Sequence, residues 1–457
     1  MMRLNRYALA LFCLALGMAQ AAPGRALDWS GYLQAENRLA MTSPYASAWH
    51  EYRLDLRAED NSSEHTRFFG ELWVRSLGYP TAGSAADLSV RSAVAPQDVD
   101  LREAYLDVRG LLTDGLRLKL GRQRIAWGRG DKINPTDNIN PNDLEDLWDY
   151  GRHLGSDALV LSYAMGETTL TAVWVPFFTP AVLPAGAWRQ ALMPDQALPE
   201  ALAQTPVTDR VLLPPADLSS GSSAAVKLSG NLAGYDLSLS YLYGRDDLPL
   251  VKTVHIASGL TGFTGVTADL VYPRRHIIGL DAAGAIGDVG CWAEAAVIFP
   301  EAVMLAFDPD PATRMLMAAY SFSFPEQAAL EAKPYVRYLL GADYTFPGGV
   351  YVNVQYLHGF VHERSGGALG NFVFMNLDWD AVPDVLKLTP VGGGLEIRDV
   401  ERFWDHYSFV AMPQAEYKPF DNVSLLLGAR WIWGAPGTIF GQAADLDEVF
   451  LKAKYSF

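Results

Sequence analysis

Cysteine is almost absent: the 457 residues hold two, Cys13 and Cys291. Cys13 falls in a segment that reads as a removed leader, so Cys291 stands alone and a disulfide framework is excluded. There is no Cys-x-x-Cys-His, so the chain attaches no c-type haem. No stretch approaches the roughly 18–20 consecutive apolar residues of a helical membrane span, although half the composition is hydrophobic. Basic residues are in deficit, 36 against 52 acidic, and are not grouped as phosphate binding requires. Nucleic acid is therefore excluded as a partner. Segments with a helical 3.6-residue period are few, which argues against a large soluble helical protein.

The amino-terminal stretch accounts for the export of such a chain. Residues Met1 to Ala21 contain Arg3 and Arg6, an apolar core from Tyr7 to Leu16, and Ala19-Gln20-Ala21. A basic segment, a short greasy segment and a small-x-small site together read as a secretory signal, 1–21, removed on export. Cys13 lacks the small residues that precede a lipoprotein cysteine, so no lipid anchor is expected. Removing the leader leaves 34 basic side chains against 52 acidic, a net charge of −18.

The other end, Val449 to Phe457, alternates strictly. Val449, Leu451, Ala453, Tyr455 and Phe457 share one face of a strand, and Lys452, Lys454 and Ser456 share the other. With aromatic Tyr455 and Phe457 as its last outward residues, it resembles the closing strand of a Gram-negative outer-membrane β-barrel. The resemblance implies that Tyr455 and Phe457 act as a signal to the barrel-assembly machinery. It also implies pairing with the strand around Trp29–Ala35, with Lys452 and Lys454 in the lumen beside Gln34 and Glu36.

Between the ends, strand–turn–strand units recur. Tyr52, Leu54, Leu56 and Ala58 alternate with Arg53, Asp55, Arg57 and Glu59, and the next strand carries Arg67, Glu71 and Arg75. Pro347-Gly348-Gly349 marks a hairpin. Short turns fall near 60–65, 110–115, 165–168, 230–234, 285–290, 347–349 and 418–422. Longer connections fall near 41–48, 78–98, 127–156, 176–222, 245–273, 300–333, 359–405 and 434–446. Short turns on one side and long loops on the other are the asymmetry of outer-membrane barrels. The expected fold is all-β, a transmembrane antiparallel up-and-down β-barrel over 22–457 with about 16 strands, within 14–18. A strand near Met315–Phe324 or near Val391–Ile397 would move the count by two. Gly392-Gly393-Gly394 reads as a flexible loop, and a short helix is expected from Leu198 towards Gln204.

A soluble sandwich and a membrane barrel both alternate, so periodicity alone does not say which face is inside. Interleaved charges of both signs at Arg53, Asp55, Arg57, Glu59, Arg67, Glu71 and Arg75 suit a hydrated lumen wall. Tyr235, Tyr243, Tyr338, Tyr344, Phe346, Tyr417 and Phe420 sit near strand ends, as interfacial girdles do.

The least ordinary segment runs Gly121-Arg122-Gln123, Trp127-Gly128, and then Ile-Asn-Pro-(Thr/Asn)-Asp twice, at 133–137 and 139–143. Asn before Pro is held extended and Asp closes a turn, so two such turns in series make a structured loop. With Arg102-Glu103-Ala104-Tyr105-Leu106-Asp107 before it, the segment 99–150 is similar to a family of largely uncharacterised, porin-like outer-membrane barrels, distantly alginate-export-like. That resemblance implies solute passage and no enzyme chemistry.

As the third long loop, 127–156 is the constriction candidate. Its Asp131, Asp137, Asp143, Glu145, Asp146 and Asp149 are expected to face lumen arginines and favour cations or polar solutes. Their spacing does not match a Ca²⁺ loop, so no metal is expected. The histidines fit neither a His-Glu-x-x-His helix nor a nucleophile elbow, so neither enzyme activity nor a cofactor is expected.

The leading reading is an outer-membrane diffusion channel for small hydrophilic solutes or anionic polymers. Alternatives are a sleeve around an electron-transfer passenger such as a cytochrome, and a hydrophobic-substrate or polymer transporter. The last needs a plug and an apolar lumen, against which the charged hairpin at 49–75 counts.

Overall fold

The computed structural model describes residues 27–192, 205–259, 262–319, 324 and 327–457. The expected leader 1–21 and the helix expected near 198–204 lie outside them.

Alternating segments become strands wherever one face is apolar and β-branched or aromatic residues are frequent. β1 (Asp28–Ala40), β2 (Ser47–Asp60) and β3 (Thr66–Leu77) open the wall. It continues through β4 (Gln97–Arg109), β5 (Leu116–Gln123), β6 (Ser156–Met165) and β7 (Thr168–Val175). β8 (Val207–Val211) leaves it, and β9 (Ser223–Leu232) and β10 (Tyr235–Arg245) resume it. β11 (Leu250–Gly259) and β12 (Gly262–Val271) leave again before β13 (Arg274–Ile286) and β14 (Val289–Pro300). β15 (Val303–Pro309) and β16 (Gln327–Leu330) form a last excursion. The wall closes with β17 (Tyr335–Phe346), β18 (Val350–His358), β19 (Asn371–Val382) and β20 (Leu386–Ile397). Then come β21 (Tyr407–Ala411), β22 (Gln414–Phe420), β23 (Val423–Gly434) and β24 (Glu448–Ser456).

Each wall strand pairs antiparallel with the next, and β24 returns to β1 in the register Lys454↔Gln34 and Lys452↔Glu36. Lys452 reaches Glu36 at 2.9 Å inside the lumen. β21 and β22 lie in tandem between β20 and β23, each pairing with both. They are two pieces of one stave, interrupted at Met412-Pro413 where proline removes a ladder donor. The closed barrel thus has eighteen staves plus that extra segment, which corrects the count of about 16.

The missing pair is β19 and β20, inside the expected connection 359–405. β19 carries Phe372 and Phe374 on its lumen face as well as Val373 and Met375 on its outer face. Apolar residues on both faces erase the alternation that would reveal a strand. The glycines at 392–394 are the middle of β20, not a flexible loop. Gly393 has φ +142, and a Cβ there would stand 1.9 Å from the Val410 carbonyl oxygen across the ladder.

Met315–Phe324 is not a strand in its described part. Pro311–Ala319 is a helix, its first turn capped by Asp310, whose Oδ1 accepts from Thr313 N at 2.7 Å. Asp as N-cap followed by Pro at the first helical position is a strong start signal, and it prevails over the apparent alternation. The excursions at 205–222, 245–273 and 300–333 also carry structure. β16, β15, β11, β12 and β8 form a second sheet on the long-loop side, with β11–β15 and β12–β8 parallel.

The faces are inverted relative to a soluble protein. Leu33, Leu106, Leu120, Leu239, Leu280, Leu340 and Leu427 are exposed on the outside, whereas Glu36, Arg53, Asp55, Glu294 and Arg430 are buried within. Exposed Tyr235 and Tyr243 bracket β10 eight residues apart, about 26 Å along a strand and roughly 20 Å along a tilted barrel axis. An apolar band of that height between aromatic rims fits a bilayer. The barrel spans a membrane.

Replacing Gly393 with alanine should block pairing of β20 with β21. The expected outcome is loss of the compact heat-modifiable species on unboiled gels; a normally folded G393A protein would contradict the close approach.

A loop pinned across the bore

The chain between β5 and β6 turns inward and crosses the barrel. Its amino-terminal part is held by Asn140. The Asn140 Oδ1 accepts from Ile125 N at 2.7 Å and from Arg124 Nη1 at 3.3 Å. Its Nδ2 donates to Gln123 O, Leu154 O and Ser156 Oγ, each at 3.0 Å. One buried amide thus ties the loop's start to its end. Asp137 pairs with Arg124, and its Oδ1 also accepts from Trp127 N at 3.4 Å.

The far end of the crossing is fixed by Glu294 on β14. Its carboxylate accepts from the backbone N–H of Arg129 and Gly130 and from Thr136, whose Oγ1 donates at 2.9 Å. Successive N–H groups converging on a carboxylate form an anion nest. That geometry requires the glycine in Trp127-Gly128: φ is +99, and a Cβ would meet Glu294 at 2.7 Å. Gln355 on β18 adds a two-way clamp with the Asp131 backbone, at 2.9 and 3.1 Å. Asn142 donates from its backbone and side chain to Asp247 at 2.7 and 2.8 Å. The doubled Asn-Pro-x-Asp segment is therefore the scaffold of a bridge.

Most of the six acidic candidates are spent on this scaffold. Asp143 meets Arg102 at 3.1 Å and Arg152 at 2.9 Å. Glu145 meets Arg75 at 2.6 Å and Arg152 at 3.3 Å. Asp146 forms a two-pronged pair with Arg38 on β1, one prong at 2.8 Å. Asp149 lies 3.7 Å from Arg152, and Asp137 is committed to Arg124. Asp131 alone is exposed and makes no ion pair among the described residues. Arg38, Arg75 and Arg102 of these pairs come from the wall, whereas Arg124 and Arg152 belong to the loop itself.

The lumen-wall candidates also sit together. Asp55 is fully buried, taking Arg57 Nε at 3.1 Å and Trp73 Nε1 at 2.9 Å. Arg57 continues to Glu71 at 3.3 Å, and Arg67 pairs with Glu59 at 2.8 Å. Arg53 bonds Glu51 at 2.8 Å and lies 4.0 Å over the Trp73 ring. Arg75 joins Asp98 on the wall at 2.8 Å and Glu145 on the loop.

Opposite this charged sector the bore is apolar near the long-loop ends. Ile125, Trp127 and Ile139 of the loop pack on Val160, Val173, Leu242, Ile277 and Ile298. Leu144 packs with Leu339, Leu357 and Phe372 on β17–β19. The loop is amphipathic across the barrel: acids towards β1–β4, hydrocarbon towards β6–β19. Nearer the short turns, lumen-facing Arg57, Arg109, Arg117 and Lys387 remain partly accessible. The bore is therefore wet and charged at one end and bridged at the other.

Sequence reasoning missed Glu294, Arg38, Arg102 and Gln355. Glu294 did leave a signal, a single carboxylate among the small and apolar residues of Cys291-Trp292-Ala293-Glu294-Ala295-Ala296. Among the described residues no acidic or histidine group is arranged to hold a metal ion.

No known family matches the chain, and no curated protein does. The chain aligns along most of its length with solved outer-membrane proteins, at low TM-score. Salmonella typhi OmpF, in complex with daunomycin, is 11% identical over 95% of this chain and 98% of its own, with a TM-score of 0.41. Vibrio cholerae OmpT lacking loop L8 is 11% identical over 95% and 99%, with a TM-score of 0.40. At such overlap nothing about function transfers from them.

Burial works against the charged form of Asp146, yet the hydrogen bond and charge of Arg38 hold its carboxyl down at about 2. A depressed carboxyl stabilises the bridge above its unfolded value near 4 and loses that contribution as pH falls towards about 2. Pepsin at about pH 2 should cut within 127–156 much faster than at about pH 4; equal rates would sink the Arg38–Asp146 pin. Asn140→Ala strands buried backbone groups and should cost about 2–4 kcal/mol, read as earlier thermal loss of the folded species.

Proposed function

We propose that the chain is an outer-membrane channel of porin type, passing small hydrophilic solutes along the charged sector of its bore. The observation that carries this reading is the crossing loop. It narrows a hydrated barrel at one level, while charged side chains stay accessible towards the short turns. A loop anchored on opposite walls sets an aperture, and the charges beside it favour polar solutes over hydrocarbon.

With Asp137, Asp143, Glu145 and Asp146 each in contact with arginine, the aperture is weakly selective rather than strongly acidic. A passenger protein would need the space that the loop and its packed side chains fill, which weighs against a sleeve. The apolar sector on β14 and β17–β19 is the feature a hydrophobic-substrate transporter would want. Here it is covered by Ile133, Leu144 and Leu147. Tyr455 and Phe457, both half-exposed on the outer rim, are in reach of an assembly factor reading the last strand.

Planar-bilayer recording tests the reading. The purified protein should conduct, and Glu294→Ala, which empties the backbone nest, should raise or destabilise conductance by at least about twofold by loosening the bridge. An unchanged trace from a correctly folded variant would show that the loop does not limit passage.

A further inference from the structure

A second feature of the bore stands apart from the ion pairs. Between the crossing loop and the β17–β18 wall lies a cavity of about 40 Å³, lined among others by Lys132, Asn134, Asp137, Tyr150, His153 and Arg337. By comparison with the space one water requires, it accommodates about three heavy atoms, the size of a carboxylate.

Arg337 is only 4% exposed, yet it has no carboxylate within ion-pair distance among the described residues. Its one hydrogen bond there runs from Nη2 to the Glu363 carbonyl, and its Nε has no partner. The nearby acids are engaged elsewhere. Asp137 on the cavity wall is paired with Arg124, Asp246 lies 3.2 Å from Arg275 and 2.9 Å from Arg364, Asp247 accepts from Asn142 and lies 3.8 Å from Arg275, and Glu363 pairs with Arg398 at 2.7 Å. Arg275, Arg364 and Arg398 between them contact the four acids Asp246, Asp247, Glu363 and Glu396, and Arg337 contacts none of them. His362 on the adjoining turn is held down at about 3 by burial and by Arg398, Arg337 and Arg364. Tyr150 is pushed up by burial, so its hydroxyl stays protonated and able to donate.

Bracing a carbonyl does not require a buried charge, because a neutral amide would do it without the cost of desolvating a guanidinium. A planar guanidinium that lines a cavity of this size and has no carboxylate partner matches a carboxylate, which it can grip by two parallel hydrogen bonds. We propose that this seam binds the carboxylate of a small organic anion, with Arg337 as the anchoring residue and the Tyr150 hydroxyl as a second donor. That the anion passes through the barrel rests on the channel reading; that it binds does not.

Saturation-transfer NMR with acetate on the full chain in detergent micelles tests binding directly. Acetate should bind, about tenfold more weakly in Arg337→Gln and severalfold more weakly in Tyr150→Phe, with Arg337→Lys retaining part of the affinity. Tyr150→Phe removes a single oxygen and covers the case in which Arg337→Gln fails to fold. Absence of acetate binding to the parent protein, equal binding to folded Arg337→Gln, or equal competition by chloride would each overturn the proposal. Acetate binding by a protein that does not conduct would leave the site standing and overturn only the channel reading. Conduction without acetate binding would do the reverse.

Discussion

The grip of the Arg129–Thr136 backbone on Glu294 is the contact on which the interior depends. A buried carboxylate must be satisfied, and here the partners are N–H groups of a loop that starts at β5, six staves away around the barrel. The demand runs both ways: the nest needs an anion and Glu294 needs donors. Gly128 is explained by the lack of room for a side chain, and Thr136 by the hydroxyl it adds. Once that end is fixed together with the Asn140 and Arg38 anchors, the long loop between β5 and β6 is held across the bore at several points.

The rest of the bridge follows from splitting the bore into two sectors. Lipid takes the apolar face of every stave, so each polar side chain is turned inwards, where it must find water or a partner. On β1–β4 the partners are loop carboxylates and neighbouring acids. On β6–β19 the inward residues near the long-loop end are themselves apolar, and loop hydrocarbon covers them. A loop with acids on one side and Ile, Leu and Trp on the other fits in one orientation only. Buried pairs such as Arg38–Asp146 add less net stability than specificity, since breaking one leaves an uncompensated charge worth about 3–5 kcal/mol. Among the buried arginines of the described residues Arg337 is the exception to this pairing, and an exception in a bore is where a passing anion would be felt.

How much of this was legible in the residues depends on range. Alternation at Tyr52–Glu59, Tyr235–Tyr243 and Val449–Phe457 is local, because a strand with one face in lipid must repeat every two residues. It yielded the barrel, its closure of β24 on β1 and the lumen-facing charges. Where that premise failed, reading failed: β19 has apolar residues on both faces because the loop, not water, covers its inner side. β19 and the true count were lost for that reason, β20 was read only as the optional strand near Val391–Ile397, and the Asp310-Pro311 helix start was lost to a coincidental alternation.

The sequence by itself determined the class of wall and that the segment after Gln123 carrying the two Asn-Pro turns is a built loop rather than a tether. Only the tertiary structure decided what that loop does with its acids. Asp143, Glu145 and Asp146 are indistinguishable from free lumen charges until Arg102, Arg75 and Arg38 are brought to them from 41, 70 and 108 residues away. Ion pairing across a bore depends on the curvature and register of eighteen staves, and no local pattern of residues encodes either.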